Sequence, residues 1–177
     1  PIVAASVGML RRIKLIADST RLRILLVNML FNSRIRFGSH WHSFSLQDLV
    51  FCERQVELLM LGGSDKYPGR SRVLLWSAIG FDANPIFLHD AGCLFAHARM
   101  LRKRMQDSLY RPAVVMDAMP STRVYDVASK WFWKRLDNLD HAFATHMGII
   151  DLTLDGRPAL VRAAKSGFLM DLVQRDN

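Results

Sequence analysis

The chain has 177 residues, half of them apolar, and its 24 Lys and Arg outnumber 16 Asp and Glu to give a formal net charge of +8 at pH 7. This is about the length of one domain, and the apolar content is enough for a core, which excludes wholesale disorder. No stretch supplies the roughly 20 apolar residues of a membrane span, and two cysteines are too few for a disulfide framework. We therefore expect a single domain over residues 1–177, with buried thiols, in an intracellular, reducing compartment.

The positive charge is concentrated at the N-terminus. Residues 1–36 hold seven cations and one acid, Asp18, which gives this segment a net charge of +6. The seven cations are Arg11, Arg12, Lys14, Arg21, Arg23, Arg34 and Arg36. Such an imbalance indicates a partner that carries phosphates, acidic lipid or an acidic protein face.

Helices are predicted for residues 6–17, 21–31 and 45–61, and residues 32–43 are predicted to be a loop. Residues 6–17 are amphipathic, and Asp18-Ser19-Thr20 offers capping groups before an apolar segment that runs to Phe31. Five apolar residues of this segment recur at helical spacing and predict a buried face: Leu22, Leu25, Leu26, Met29 and Leu30. Ser45-Leu46-Gln47-Asp48 is similar to a capping box and opens the next helix. That helix places four apolar residues on one face: Leu49, Cys52, Val56 and Leu59.

The middle of the chain is divided by turn residues. Gly62 to Arg72 contains Gly-Gly and Pro-Gly pairs, which predict a loop and a sub-boundary over residues 62–72. The apolar run from Val73 to Phe81 fits a strand or a short helix equally well. Pro85 begins a predicted helix to about Leu109, and Ser121 or Thr122 begins another to about Met147.

The C-terminal segment predicts a β-hairpin. Ile149 to Leu154 alternates loosely, and Asp155-Gly156-Arg157 is a strong turn signal before Ala159-Leu160-Val161. The predicted fold class is therefore mainly α, an irregular helical domain of five to six helices with a small C-terminal β-hairpin.

Metal ligands are considered at three positions of one predicted helix. His89, Cys93 and His97 are spaced by four, so neighbouring pairs share a face. All three do not converge easily, and a helix whose His and Cys pack or face solvent is the favoured alternative. His89-Asp90 also resembles the dyad of HD-type metal phosphohydrolases. That resemblance implies a divalent ion and further ligands, for which His42 and Asp137 or Asp140 are candidates.

Two cationic segments are candidate contacts with a nucleic acid or a protein partner. Lys130 to Arg135 interleaves Trp with Lys and Arg, and Arg99 to Arg104 holds four cations in six residues. Of Trp131 and Trp133, one is expected in the core. With the N-terminal cations, the candidate contact residues are Arg11, Arg12, Arg21, Arg23, Arg99, Arg102, Lys103, Arg104, Lys130, Trp131, Trp133, Lys134 and Arg135.

One segment resembles a family of DNA-binding proteins. Lys14-Leu15-Ile16-Ala17-Asp18-Ser19-Thr20-Arg21-Leu22-Arg23-Ile24-Leu25 is similar to the segment that links the first two helices of ArsR-type winged-helix repressors. The resemblance implies a helix-turn-helix and a basic wing. Residues 45–61 are a candidate for the next helix and residues 66–72 for the wing, but a recognition helix of the expected type is not found.

A second resemblance covers residues 137–169. Asp137-Asn138-Leu139-Asp140, Asp151 to Pro158 and Lys165 to Leu169 are similar to part of a quinoprotein dehydrogenase propeller. It implies that Asp140 acts as a base and Lys165 contacts the quinone, although the chain is too short to form an eight-bladed propeller.

The sequence contains no recognisable reaction centre, so a non-catalytic role without a cofactor is the favoured interpretation. We expect a basic helical subunit of a larger assembly, an organellar ribonucleoprotein first and a membrane-associated respiratory complex second. Its partners would be other protein subunits and a nucleic acid, RNA before DNA. A chain that begins at Pro1 fits either a trimmed initiator or a removed presequence, and a mitochondrial location is included on that ground. The alternatives are a winged-helix DNA-binding regulator and a metal- or quinone-dependent enzyme fragment.

Overall fold

The computed structural model describes residues 2–38, 44–61, 71–107, 122–132 and 141–176. These residues form a mainly α-helical structure, as predicted, and none of them lies in a strand. The helices are α1 (Ile2–Ile16), α2 (Thr20–Leu26), a π-helix (Val27–Asn32), α3 (Ser33–Gly38), α4 (Leu46–Met60), α5 (Arg72–Ile79), a 3-10 turn (Phe81–Ala83), α6 (Pro85–Asp107), α7 (Thr122–Phe132), α8 (His141–Leu154) and α9 (Arg157–Asp176). They exceed the predicted five or six.

The chain divides into two compact units, residues 1–89 and 90–177, so the boundary lies within α6. The sub-boundary predicted for residues 62–72 falls almost entirely outside the described part of the chain. No helix in the described ranges is both long and apolar enough to cross a membrane.

Serine caps define the helices of the first unit. The Ser19 hydroxyl accepts a hydrogen bond from the Leu22 amide at 3.2 Å, and Ser45 accepts one from the Asp48 amide at 3.1 Å. Ser71 caps α5 in the same way, and α5 shows that the apolar run is helical from Val73 to Ile79. Gly80, with a φ of 101°, ends this helix before the 3-10 turn. Each cap satisfies a backbone donor that the first helical turn leaves without a partner.

The core of the first unit lies where α1 packs on α4 and on the π-helix. The four residues predicted on one face of α4 are all buried. The buried face predicted for the helix from Arg21 to Phe31 is wrong, because α2 contains no buried residue. The π-helix and α3 instead bury Val27, Phe31 and Ile35, which are also four residues apart. The segment is apolar on two sides, and periodicity alone does not show which side meets the core. The loop predicted for residues 32–43 is wrong at residues 33–38, which form α3.

The core of the second unit depends on close contact between α7 and α9. The ring of Trp131 meets that of Phe168 edge-on, with 6.0 Å between centroids. Gly167 lies directly against the backbone of Trp131, so that a Cβ atom added there would be 2.7 Å from the Trp131 Cα. Asp171 is buried and binds Lys130 at 2.6 Å and Arg175 at 3.0 Å. These contacts hold one face of α7 against α9.

The predicted C-terminal β-hairpin is wrong. Residues 149–154 are the last turns of α8, and α9 begins at Arg157. Ile149, Ile150 and Thr153 are buried, which is a helical pattern, and the Thr153 hydroxyl donates to the Ile149 carbonyl at 2.6 Å within the helix. The turn signal itself was correct, since Gly156 has a φ of 97°. A positive φ suits the residue that ends a helix as well as a hairpin turn.

Replacing Gly167 with Ala should lower the free energy of unfolding. The added methyl would overlap the Trp131 backbone, which cannot yield as a flexible side chain does. Overpacking of this kind costs about 1–3 kcal/mol. The measurement is the urea midpoint followed by circular dichroism.

Gly8→Ala is the matched control. Gly8 is also helical and exposed, and a Cβ atom there would meet nothing within 4 Å. This control should be neutral or slightly stabilising, since Ala is the better helix former. Equal midpoints for the two variants would contradict the close contact between α7 and α9.

Candidate partner interface

An exposed apolar surface runs from the end of α1 to the π-helix. Leu15 and Ile16 are 84% and 69% exposed, and the two helices that follow add four more large apolar side chains. We call Leu22, Leu25, Met29 and Leu30 the α2 stripe. The first three are spaced by three and four residues, which places them on one side of a helix. Single exposed apolar residues are ordinary, whereas a continuous set indicates a surface for a partner.

The helical segment that carries the α2 stripe is attached to the first unit through its buried side. Asn32 is buried, and its Nδ2 donates to the Asn28 Oδ1 at 2.8 Å and to the Ala83 carbonyl at 3.2 Å. The wider turn of the π-helix brings Phe31 and Asn32 to the core side together, while Met29 and Leu30 stay at the surface. Helices of this type are frequent at functional positions.

Exposed cations occur in the same helices as these apolar residues. Arg11, Arg12, Lys14 and Arg21 are exposed, and the single acid between residues 2 and 38, Asp18, is exposed as well. The surface therefore joins aliphatic side chains with a strong positive charge. It favours a ligand that carries both apolar and anionic groups.

Arg23 is hydrogen-bonded within the fold, whereas the neighbouring cations Arg11, Arg12 and Arg21 are exposed. Its Nε donates to the Ala17 carbonyl at 3.0 Å and its guanidinium to the Leu59 carbonyl at 3.4 Å. It thereby joins the last residues of α1 and α4. Its side chain is half-buried.

A buried polar cluster connects α4, α5 and the start of α6 on the first unit's side. Asn84 is fully buried, donates to Glu53 Oε1 at 2.6 Å, and accepts hydrogen bonds from the Ile86 and Phe87 amides. One turn along α4, Glu57 accepts from Trp76 Nε1 at 3.3 Å. The cluster caps α6 and ties it to α4.

Burial raises the pKa of Glu57, and the neighbouring Glu53 carboxylate raises it further. Arg72, 3.6 Å away, and the hydrogen bond from Trp76 oppose this shift. Burial likewise raises the pKa of Cys52 to about 11, so this thiol stays protonated at neutral pH. Cys52 and Cys93 are both free cysteines.

The acidic members of this cluster were not selected from the sequence. Glu53 and Glu57 lie among the apolar residues of α4 at positions that share their buried face. Their spacing of four residues, in phase with Leu49, is the sequence signal that could have identified them.

The cationic segment of α6 lies at the surface of the second unit. Arg99, Arg102, Lys103 and Arg104 are all exposed. Arg102 also donates to the Thr153 carbonyl at 3.2 Å. The cationic segment of α6 therefore holds Arg102, which is hydrogen-bonded to α8, and three further exposed cations within two helical turns.

The second cationic segment is described only at its start. Lys130 pairs with Asp171, and Trp131 is buried, so its ring does not face solvent. Trp133, Lys134 and Arg135 lie outside the described residues.

The metal-ligand candidates are placed along α6. His89 and His97 are buried and Cys93 is half-buried. Within the described ranges, no group of three or more His, Cys, Asp or Glu residues is arranged to hold a metal ion. Residues 40, 42, 137 and 140, which include the quinoprotein base candidate, lie outside those ranges. Lys165, the other quinoprotein candidate, is half-buried on α9.

Comparison with known proteins gives no relative. No protein-family model matches the chain, and neither a curated protein nor a solved structure matches it.

Glu57→Gln should change how stability depends on pH. A carboxyl whose pKa is raised on folding binds its proton more tightly in the folded state, so stability falls as pH rises from the unfolded pKa through the folded one. The amide keeps an acceptor for Trp76 without that proton. The variant should therefore gain stability relative to the wild-type chain as pH rises from 4.5. Urea midpoints between pH 4 and 8 measure this.

Gln47→Ala, which changes an exposed side chain of α4 without adding or removing a titratable group, is the control and should show no such divergence. A constant difference between Glu57→Gln and the wild type across the pH range would contradict the raised pKa.

Arg23→Ala should destabilise the chain by about 1.5–3 kcal/mol, the usual range for hydrogen bonds made by a charged group. Arg21→Ala, two residues away and exposed, should leave the unfolding midpoint nearly unchanged. Urea unfolding of both variants separates an internal role from a surface one. If Arg21→Ala were the more harmful change, the tie between α1 and α4 would not be the function of Arg23.

Proposed function

We propose that this chain is a non-catalytic, basic helical subunit of a larger assembly. An organellar ribonucleoprotein, with the mitochondrion as the organelle, is the first candidate, and a respiratory complex is the second. The observation that carries the proposal is the exposed apolar surface beside the N-terminal cations. A binding partner accounts for an exposed surface of this kind, and no catalytic activity is needed to explain it.

The apolar part of the surface supports burial against protein. Complete burial of a Leu or Ile side chain contributes about 1.5–3 kcal/mol, and Leu15, Ile16, Leu25 and Met29 each leave more than half of their surface in water. A subunit that meets its partners in an assembly recovers this free energy there.

The cationic segment of α6 supports contact with RNA. Arg99, Lys103 and Arg104 are exposed and lie within two turns, which suits consecutive phosphates on a single strand. Of the two large apolar side chains among residues 99–104, Leu101 is buried and Met100 is 37% exposed. The segment therefore favours a polyanion over an apolar ligand.

The RNA contact is tested by titrating the purified chain with a single-stranded RNA of mixed sequence at several salt concentrations. The triple variant Arg99→Gln, Lys103→Gln, Arg104→Gln should reduce the slope of log affinity against log salt by about 2, since each phosphate contact contributes about 0.7. Filter binding or fluorescence anisotropy gives the slope.

The matched control neutralises Arg157 and Arg162, which are exposed cations of the same unit on α9. It should retain most of the slope. A wild-type chain that binds no RNA at low salt would overturn the ribonucleoprotein proposal. Losses in proportion to the charges removed, three against two, would show that net charge alone, and not this segment, determines binding.

A winged-helix DNA-binding regulator is the alternative to a subunit of an assembly. The segment that resembles ArsR-type repressors spans the end of α1, a connection over residues 17–19 and the first turns of α2. A helix, a short connection and a second helix over this segment support the alternative. Residues 66–70 of the candidate wing lie outside the described residues. Light scattering with duplex DNA discriminates the two candidates, because a regulator should be a soluble dimer that binds the duplex with a steep salt dependence.

A further inference from the structure

We propose that the α2 stripe binds an amphipathic helix with acidic flanks from a protein partner. This inference rests on the proposed role as a subunit of an assembly and names the chemistry of one partner. The juxtaposition that carries it is an exposed row of Leu22, Leu25 and Met29 beside exposed arginines.

The dimensions of the stripe fit a helix. Leu22 and Met29 are seven residues apart, about 10 Å along a helix axis, and with Leu25 they form anchors at i, i+3 and i+7. Two helices that pack side by side use this repeat. Exposure of 38%, 52% and 61% along the row leaves every anchor accessible.

The stripe is presented on a preformed platform. Val27, Phe31 and Ile35 are buried behind it, and Asn32 is hydrogen-bonded to the Ala83 carbonyl. Little ordering of this helix is needed when a partner binds, which reduces the entropic cost of association.

The charge around the stripe selects an acidic partner. Arg21 precedes Leu22 directly, Arg34 is exposed beyond the other end, and Asp18 is the one acid between residues 2 and 38. A helix with Glu or Asp flanking its apolar row would place opposite charges at the rim of the contact. Complementary rim charges increase the association rate and fix the orientation.

Aliphatic side chains favour protein over nucleic acid at this position. Single-stranded nucleic acids are held by aromatic stacking as well as by cations, and the four residues of the stripe contain no aromatic ring. An anionic membrane surface would satisfy both the apolar and the cationic groups. The narrow width of the row and its fixed rear face favour a helix.

The experiment uses the full chain and three synthetic 18-residue helical peptides. All three carry a row of Leu at the spacing i, i+3, i+7. The positions that flank this row are Glu in the first peptide, Gln in the second and Lys in the third. Fluorescence anisotropy should show the Glu peptide binding about tenfold more tightly than the Gln peptide at low salt, with the difference shrinking as salt rises. The Lys peptide should bind least.

Substitutions locate the contact. Leu25→Glu should weaken binding of the Glu peptide by at least about tenfold, the scale of a central apolar anchor. Leu74→Glu is the matched control, because Leu74 is 72% exposed on α5 of the same unit. It should bind the peptide as the wild type does, and matching circular dichroism spectra would show that both variants are folded.

Three results would overturn the inference. The first is that the Glu peptide does not bind at 100 µM. The second is that Leu25→Glu and Leu74→Glu weaken peptide binding equally. The third is that the chain binds vesicles with 30% phosphatidylserine but not the Glu peptide, and that Leu25→Glu abolishes the vesicle binding. The last result would assign the stripe to a membrane surface. RNA titration of Leu25→Glu separates the RNA contact of α6 from the helix-binding role of the α2 stripe. If the variant loses peptide binding and keeps RNA binding, the RNA contact of α6 is still supported. If the wild-type chain binds the peptide but not RNA, only the role of the α2 stripe is supported.

Discussion

The buried amide of Asn84 is the contact on which the first unit depends. Its Oδ1 accepts from two amides of the first turn of α6, and its Nδ2 donates to Glu53 on α4. Pro85, which follows, has no N–H to satisfy and its φ suits a helix start. One side chain thus begins α6 and ties it to α4. The adjacent Ala83 carbonyl accepts from Asn32 and connects the π-helix to the same point.

The chain places two carboxyl groups in this interior, and their surroundings explain how that is tolerated. Glu53 has Asn84 as a donor, while Glu57 has Trp76 and the half-exposed Arg72. A buried carboxylate without such partners is costly. The donors come from α5, which carries Arg72 and Trp76, and from Asn84 at the end of the 3-10 turn, so the acids position both regions relative to α4. Their role in the first unit is structural.

Local signals were predictable from the sequence and the choice of face was not. Ser19 and Ser45 were recognised as caps because capping depends on residues three apart in the chain. The prediction that the α2 stripe is buried was wrong. Periodicity shows that a helix has an apolar side, but it does not show which of two apolar sides meets the core. The hairpin was predicted from Asp155-Gly156, a pair whose backbone conformation serves a helix end equally. Glu53 and Glu57 required knowledge of Asn84 and Trp76, which are distant in sequence.

The π-helix acts as a phase shift between the two apolar sides of one continuous helical segment. An α-helix advances 100° per residue, so the wide turn at Val27–Asn32 holds the residues before it out of step with those after it. Deleting one residue there would rotate Leu22 and Leu25 by about a quarter of a turn relative to Phe31 and Ile35. The length of this segment is therefore as constrained as its composition, and insertions or deletions that loops tolerate would move the surface row toward the interior.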